Sequence, residues 1–225
     1  MVGSIELRHV EIDQSLLGTP LRNDRLDTLT GTLDGATKVA GGTLRGQFTA
    51  TWGLPLVGVT REGAARSSRL DGDARFVALA YFGEWVRPLG KRVSVVLAST
   101  GQVASRPLLA TAEFGVGGPS FGRAYDYSDR TGDNGVAGSA ELRLGVPTRP
   151  SLIDRLQVFA FADAGAAWNL NDGIGGGTLS SAGGGVRWGL GRFDLAVEAA
   201  QPLNAERFST GRRNPRLSFR LARLL

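Results

Sequence analysis

Cysteine is absent from this 225-residue chain, which removes a disulfide framework, thiolate chemistry and any cysteine-based zinc site. Lysine is almost absent: Lys38 and Lys91 are the only two. The net charge of +5 and the pI of about 10.4 are therefore carried almost wholly by arginine. Histidine occurs once, as His9. No serine or carboxylate constellation lies near it in the sequence, so a hydrolytic triad is not expected and His9 reads as a strand or rim residue. No apolar run reaches the roughly 18 residues that a transmembrane helix needs. If the chain enters a membrane, it enters as strands. Residues Met1 to Glu6 lack the basic start and apolar core of a signal peptide, so the expectation is either a chain that is not exported or one that lacks its front end.

Glycine is plentiful, 33 residues spread along the chain, with neither a collagen period nor a low-complexity tract. Arginine is spread singly along strand-like segments. A nucleic-acid binder clusters its charge, so no nucleic-acid partner is expected, and the arginines read better as the lining of a polar lumen.

The dominant period is two. In 155–168, Leu156, Val158, Ala160, Ala162, Ala164, Ala166 and Trp168 share one face. Arg155, Gln157, Phe159, Phe161, Asp163 and Gly165 share the other. The same alternation runs through 42–54, 92–104, 137–146, 192–203 and 216–225. Weaker strands are expected near 4–12, 23–36, 74–88 and 178–190. Each strong run is about ten residues, the length a tilted strand needs to cross a bilayer. The expected fold is all-β, an antiparallel transmembrane β-barrel with about ten strands present and no helix or domain boundary within residues 1–225. Tight turns at Leu89-Gly90 and Gly191 alternate with long loops at 55–72, 105–136, 169–177 and 204–213. Trp52, Trp85, Trp168 and Trp188 stand at strand ends, where interfacial girdles form. A soluble antiparallel barrel or sandwich carries the same alternation with its apolar face turned inward. The polar faces favour the membrane, because they hold Arg, Ser, Thr, Gln and Gly where a soluble surface holds Lys and Glu.

Two residues stand out. Asp163 lies mid-strand opposite a wholly apolar face, and a carboxylate facing lipid is costly. It is expected to face the interior and to need a partner, for which arginine offers a bidentate fork. Arg123, in Phe121-Gly122-Arg123-Ala124-Tyr125, lies in a glycine-rich stretch of about 30 residues, longer than ordinary connections. Phe114, Phe121, Tyr125 and Tyr127 are expected to anchor that stretch. Asp126, Asp129 and Asp133 read as solvated loop carboxylates; they lack the twelve-residue pattern of a Ca²⁺ loop. Gly115-Val116-Gly117-Gly118 and Gly173-Ile174-Gly175-Gly176-Gly177 open no helix after a parallel strand, so neither reads as a phosphate cradle. No catalytic residue, metal or cofactor is expected.

The stretch Glu113-Phe-Gly-Val-Gly-Gly-Pro-Ser-Phe-Gly-Arg-Ala-Tyr-Asp126, followed by Thr131-Gly-Asp-Asn-Gly-Val-Ala-Gly-Ser-Ala-Glu-Leu-Arg143, resembles the haemolysin secretion/activation family. These are the TpsB transporters of two-partner secretion, relatives of the BamA-type assembly barrels. Phe161-Ala-Asp-Ala-Gly165 and Gly184-Gly-Val-Arg-Trp188 follow in the family's order, and the likeness extends from about residue 20 to the end. It implies a 16-stranded barrel of the bacterial outer membrane, preceded by POTRA domains, of which this chain is the C-terminal portion. It implies a loop folded into the lumen, with Arg123 meeting Asp163, supported by Phe121, Gly122, Tyr125, Phe161 and Gly165. Glu141, Arg143, Arg187, Glu198, Arg216 and Arg220 would line the lumen. The implied partners are a secreted haemolysin- or adhesin-like exoprotein, the lipid bilayer and, during biogenesis, the outer-membrane assembly machinery. An insertase or passive pore of the same superfamily is the alternative reading, and a soluble β-barrel binding protein a third. This sequence departs from the family at Ala124, where glycine is usual, and at Leu225, where an aromatic is common. The 225 residues alone are expected not to support secretion.

Overall fold

The structure, a computed structural model, describes residues 1–148, 153–171 and 173–223. Twelve strands are present: β1 (Val2–Leu16), β2 (Thr19–Val39), β3 (Gly42–Gly53), β4 (Val77–Pro88), β5 (Val93–Ala104), β6 (Phe114–Val116), β7 (Arg130–Gly132), β8 (Asn134–Val146), β9 (Arg155–Trp168), β10 (Gly177–Leu190), β11 (Phe193–Pro202) and β12 (Arg216–Arg223). Ten of them form one antiparallel sheet in the order β1-β2-β3-β4-β5-β8-β9-β10-β11-β12. β6 and β7 pair only with each other, within the long connection between β5 and β8. Consecutive pairing places four connections at one end of the sheet, at 40–41, 89–92, 147–154 and 191–192. The other end carries 17–18, 54–76, 105–133, 169–176 and 203–215.

Period two in the sequence becomes an inside-out pattern of burial. Along β9, Phe159, Phe161 and Asp163 are buried while Ala160, Ala162 and Ala164 between them are exposed. Leu142, Phe193 and Phe219 are likewise exposed on the sheet's outer face, whereas Glu141 is buried on the inner one. A water-soluble domain does the reverse, because burying a carboxylate and exposing alanine and leucine both cost free energy in water. In a bilayer the same pattern is the favourable one. Trp52 and Trp168 stand near the long-loop ends of their strands, and Trp85 and Trp188 near the short-turn ends, as two interfacial belts require.

Strand ends agree with the period except at the first hairpin. The expected strands at 4–12 and 23–36 extend to Val2–Leu16 and Thr19–Val39. β2 outruns β3, which begins pairing only at Thr28. In the overhang, polar cross-strand contacts replace apolar alternation: Arg25 Nε donates to Glu11 at 2.7 Å, and His9 Nδ1 lies 2.6 Å from Asp27. His9 therefore does have a carboxylate partner, one that is 18 residues away in sequence and was hidden by register. β6 and β7, at three residues each, are too short to show a period. Leu225 falls outside the described residues.

Candidate functional site

Two buried apolar clusters lie on the inner face. The first joins Val116, Ala124 and Tyr125 of the β5–β8 connection to Phe159, Phe161, Ala167, Leu179 and Ala200 of the sheet. The second joins Val59, Ala74 and Phe76 of the β3–β4 connection, and Leu108 and Leu109 of the β5–β8 connection, to Leu26 and Ala78. The β5–β8 connection thus folds back into the sheet's concavity, where its apolar side chains displace water and its tip is fixed by charge.

The tip turns at Gly122, whose φ of +76° is a left-handed value that costs glycine little and other residues more. Arg123 then reaches the wall. Its Nη1 donates to Glu141 Oε2 at 2.7 Å and to Glu198 Oε2 at 3.2 Å. Asp163 is closer to the backbone than to the side chain: it accepts from Arg123 N at 3.3 Å, while Arg123 Nε stands off at 3.6 Å with no hydrogen-bond partner. The expected bidentate Arg123–Asp163 fork is therefore corrected. Asp163 Oδ1 is engaged instead by the Ser181 hydroxyl across the β9–β10 register, which turns its second oxygen towards the tip's backbone. The guanidinium is left to span β8, β9 and β11.

The other expected lumen residues lie around this point. Arg143 Nε and Arg187 Nη1 both donate to Glu141 Oε1, at 2.6 and 2.7 Å. Glu141 thus holds three arginines, Arg123 included. Arg123 stacks 4.1 Å over the Phe161 ring and Arg187 3.8 Å over Phe159, contacts worth about 0.5–2 kcal/mol each. Those rings lie over Gly183 and Gly185, where an added Cβ would come within 2.9 and 2.8 Å of them. Gly165 leaves room for Val116 in the same way, at 2.8 Å. Arg216 donates to the Tyr125 carbonyl, and Arg220 lines the same cavity of about 440 Å³ beneath the tip.

Tyr125 is fully buried, and its hydroxyl donates to the Ser180 carbonyl at 3.0 Å and to Asn204 Oδ1 at 2.9 Å. Ala124 is also fully buried, its N–H directed to Ser181 Oγ at 3.4 Å. Phe121 is only half-buried, and Tyr127 is exposed, so the latter is not an anchor.

The three loop aspartates are corrected most strongly, because they are hydrogen-bond hubs and not solvated groups. Asp126 accepts from Ser209 N at 3.0 Å and Asp129 from Phe208 N at 3.3 Å, which ties the tip to the β11–β12 connection. Asp133, with no exposed surface, accepts from Leu108 N at 2.6 Å, Leu170 N at 2.9 Å and Arg69 Nη1 at 2.7 Å. Arg69 also donates to Glu113 at 2.8 Å, to Asn169 at 3.0 Å and to Asp71 at 2.9 Å. Burial alone would make Arg69 release its proton more readily; its bonds to Asp71, Glu113 and Asp133 outweigh that and hold its pKa above the ordinary arginine value. Arg69 was not legible as a site residue: Asp71 is two residues away, but Glu113, Asp133 and Asn169 lie 44, 64 and 100 residues off and meet it only through folding.

A family model described as the Omp85 superfamily domain matches residues 44–221. The chain belongs to the Omp85 superfamily. Among solved structures this Omp85 chain is similar to CdiB from Escherichia coli, with a TM-score of 0.83 and 21% identity over 98% of this chain and 41% of that one. It is similar also to CdiB from Acinetobacter baumannii, with a TM-score of 0.73 and 19% identity over 97% of this chain and 38% of that one. At these identities the likeness is one of fold: an all-β antiparallel barrel wall with an inward loop. This chain spans about two fifths of the length of the CdiB chains. No curated protein matches it in sequence.

Proposed function

We propose that this Omp85 barrel wall belongs to a TpsB transporter in the bacterial outer membrane. It would pass a large, unfolded, β-rich exoprotein, such as a haemolysin or adhesin, to the cell surface. The observation that carries this reading is the docking of the loop tip on the inner wall, with Arg123 held between Glu141 and Glu198 and its backbone on Asp163. A loop fixed inside the lumen sets what can pass, and its residues do no bond chemistry. The wall it leaves uncovered is polar, which lets an unfolded chain slide without being held. The transporter needs no cofactor in this scheme; cargo folding outside the cell would draw the chain through. Its partners are the exoprotein, the bilayer and the assembly machinery that inserts the barrel.

The test is export by cells expressing the full-length protein together with its exoprotein. Arg123→Ala is expected to lower the exoprotein in the medium while barrel levels in the outer membrane hold. If loss of the protein instead depletes other outer-membrane barrels and leaves the exoprotein in the medium unchanged, the insertase reading is the correct one.

A further inference from the structure

We infer that Arg69 is a positioning residue: with Asp133 it forms a second latch, which pins the 54–76 connection across the inner face and fixes the base of the inward loop independently of the tip. Three observations carry this. Arg69 and Asp133 together bind four separate segments, 69–71, 108–113, 133 and 169–170, through side chains that are 11% and 0% exposed. The apolar cluster beneath them, Leu26, Val59, Ala74, Phe76, Leu108 and Leu109, shares no member with the cluster around Tyr125. The Arg123 hub likewise shares no charged partner with the Arg69 hub among the described residues.

The chemistry suits a latch. A guanidinium that spans several acceptors holds only while all of them converge, and one partner's departure weakens the rest. The 54–76 connection has backbone ties beside the cluster: Asp73 N donates to the Pro107 carbonyl at 3.0 Å, and Ala110 N to Ser68 Oγ at 3.0 Å. Further back the connection is tied to β2, where Asn23 N donates to the Arg66 carbonyl at 2.8 Å, Thr60 N to the Arg25 carbonyl at 2.9 Å and Ser68 N to Asp24 Oδ1 at 2.9 Å, so release of Arg69 loosens the stretch around residues 69–74 and leaves the rest of the connection on the sheet. For the transport reading, on which this step rests, the second latch keeps the base of the inward loop in place while the tip leaves the wall.

The test uses the absence of cysteine from these 225 residues, with any cysteine elsewhere in the full-length protein replaced by serine. Lone cysteines are placed at Ala74 and, in a separate protein, at Ala124, both fully buried. Labelling by a membrane-impermeant maleimide is then timed on the full-length protein in outer-membrane vesicles. Arg69→Ala is expected to speed labelling at 74 by roughly tenfold or more, the factor that losing a charge-assisted hydrogen bond gives to a local opening, and to leave 124 protected. Arg123→Ala is expected to do the opposite. Arg69→Lys keeps the charge without the fork and should fall between wild type and alanine at 74. If Arg69→Ala disturbs the sheet, Arg69→Lys carries the test with the same outcomes. Unchanged labelling at 74, or equal acceleration at both sites by either variant, overturns the proposal. Labelling that behaves as expected while export is unaffected leaves the latch standing and removes the transport reading.

Discussion

Arg123 and Arg69 occupy two hubs of similar chemistry and different construction. Arg123 meets carboxylates that project from strands β8, β9 and β11. The sheet's register fixes those carboxylates whether or not the loop is present. Arg69 meets Asp71, Glu113 and Asp133, all of them on connections, so its site exists only when the loops are already folded together. The first hub is a socket waiting for a plug, and the second is a knot. A socket survives the plug's departure and can be re-entered; a knot that comes apart loses its geometry with its contacts. The difference explains where reversible motion belongs, at the tip, and where rigidity belongs, at the loop base.

The largest expected effect breaks the socket. Arg123→Ala leaves Glu198 with no cation within salt-bridge distance among the described residues and deprives Asp163 of its nearest charge. Stranding a buried charge in this way costs about 3–5 kcal/mol, read as tip undocking by labelling at position 124. Asp163→Ala is expected to cost less, since the guanidinium keeps Glu141 and Glu198. The double variant should fall short of the sum. Arg130→Ala is the comparison within the same loop: its partner Asp129 is one residue away and, though buried, also accepts from Phe208 N, and Arg130 touches no strand carboxylate, so a smaller effect than that of Arg123→Ala is expected on labelling at position 124. Simple additivity of Arg123→Ala and Asp163→Ala would show that the two do not act on one docking equilibrium.

The socket was legible in sequence because a strand carries its own ruler. Asp163, Phe161 and Phe159 fall at every second residue, so one carboxylate on the apolar-backed strand declared itself an interior group. Glu141 and Glu198 were placed on inward faces by the same alternation, and the tip motif supplied the arginine. What periodicity could not tell was which oxygen goes to which nitrogen, since that rests on Ser181 arriving from β10 through register. The knot was illegible for a stronger reason. Arg69, Glu113 and Asp133 lie in loops without a period, and Asp133 in a run of glycine and asparagine reads as a solvated turn. The one available signal was Thr131-Gly-Asp-Asn-Gly135 within the family-like stretch. Its glycine at 132 would, with a Cβ, meet the Trp168 backbone at 2.7 Å, the mark of a closely packed position and not of a free turn.

The second effect in size loosens the knot. Asp133→Asn removes the charge facing Arg69 and sets an amide N–H₂ against either the Leu108 or the Leu170 N–H, both of which now donate to its oxygens. A lost charge-assisted bond and a facing pair of donors cost about 2–4 kcal/mol together. The measurement is the urea midpoint of loop opening, followed by labelling at position 74. Combined with Arg123→Ala, the two costs should add within about 0.5 kcal/mol, because the hubs share no partner. Strong coupling would mean that one cooperative unit spans both and that the distinction between socket and knot is false.

The smallest effect sits at the margin of the knot and sharpens the comparison through pH. Asp73 Oδ2 accepts from Arg75 Nη2 at 2.6 Å and its Oδ1 from Arg75 N at 2.8 Å. The Arg75 side chain, the largest influence, holds the Asp73 carboxyl below its ordinary value despite burial. A carboxyl depressed in the folded state stabilises that state above its unfolded pKa, and the contribution is lost as pH falls through the folded value. Wild type should therefore be more resistant to urea than Asp73→Asn from pH 7 down to about pH 5, and the gap should close below about pH 4, as the aspartate takes up its proton. The gap should be small, since Arg75 is partly exposed and water screens the pair. It should also be confined to the 54–76 connection, with labelling at position 124 unmoved by Asp73→Asn at any of these pH values. A gap that stays constant down to pH 3 would assign Asp73 a purely steric role at the Pro107 contact. A matching response at position 124 would show that the knot reaches the socket after all.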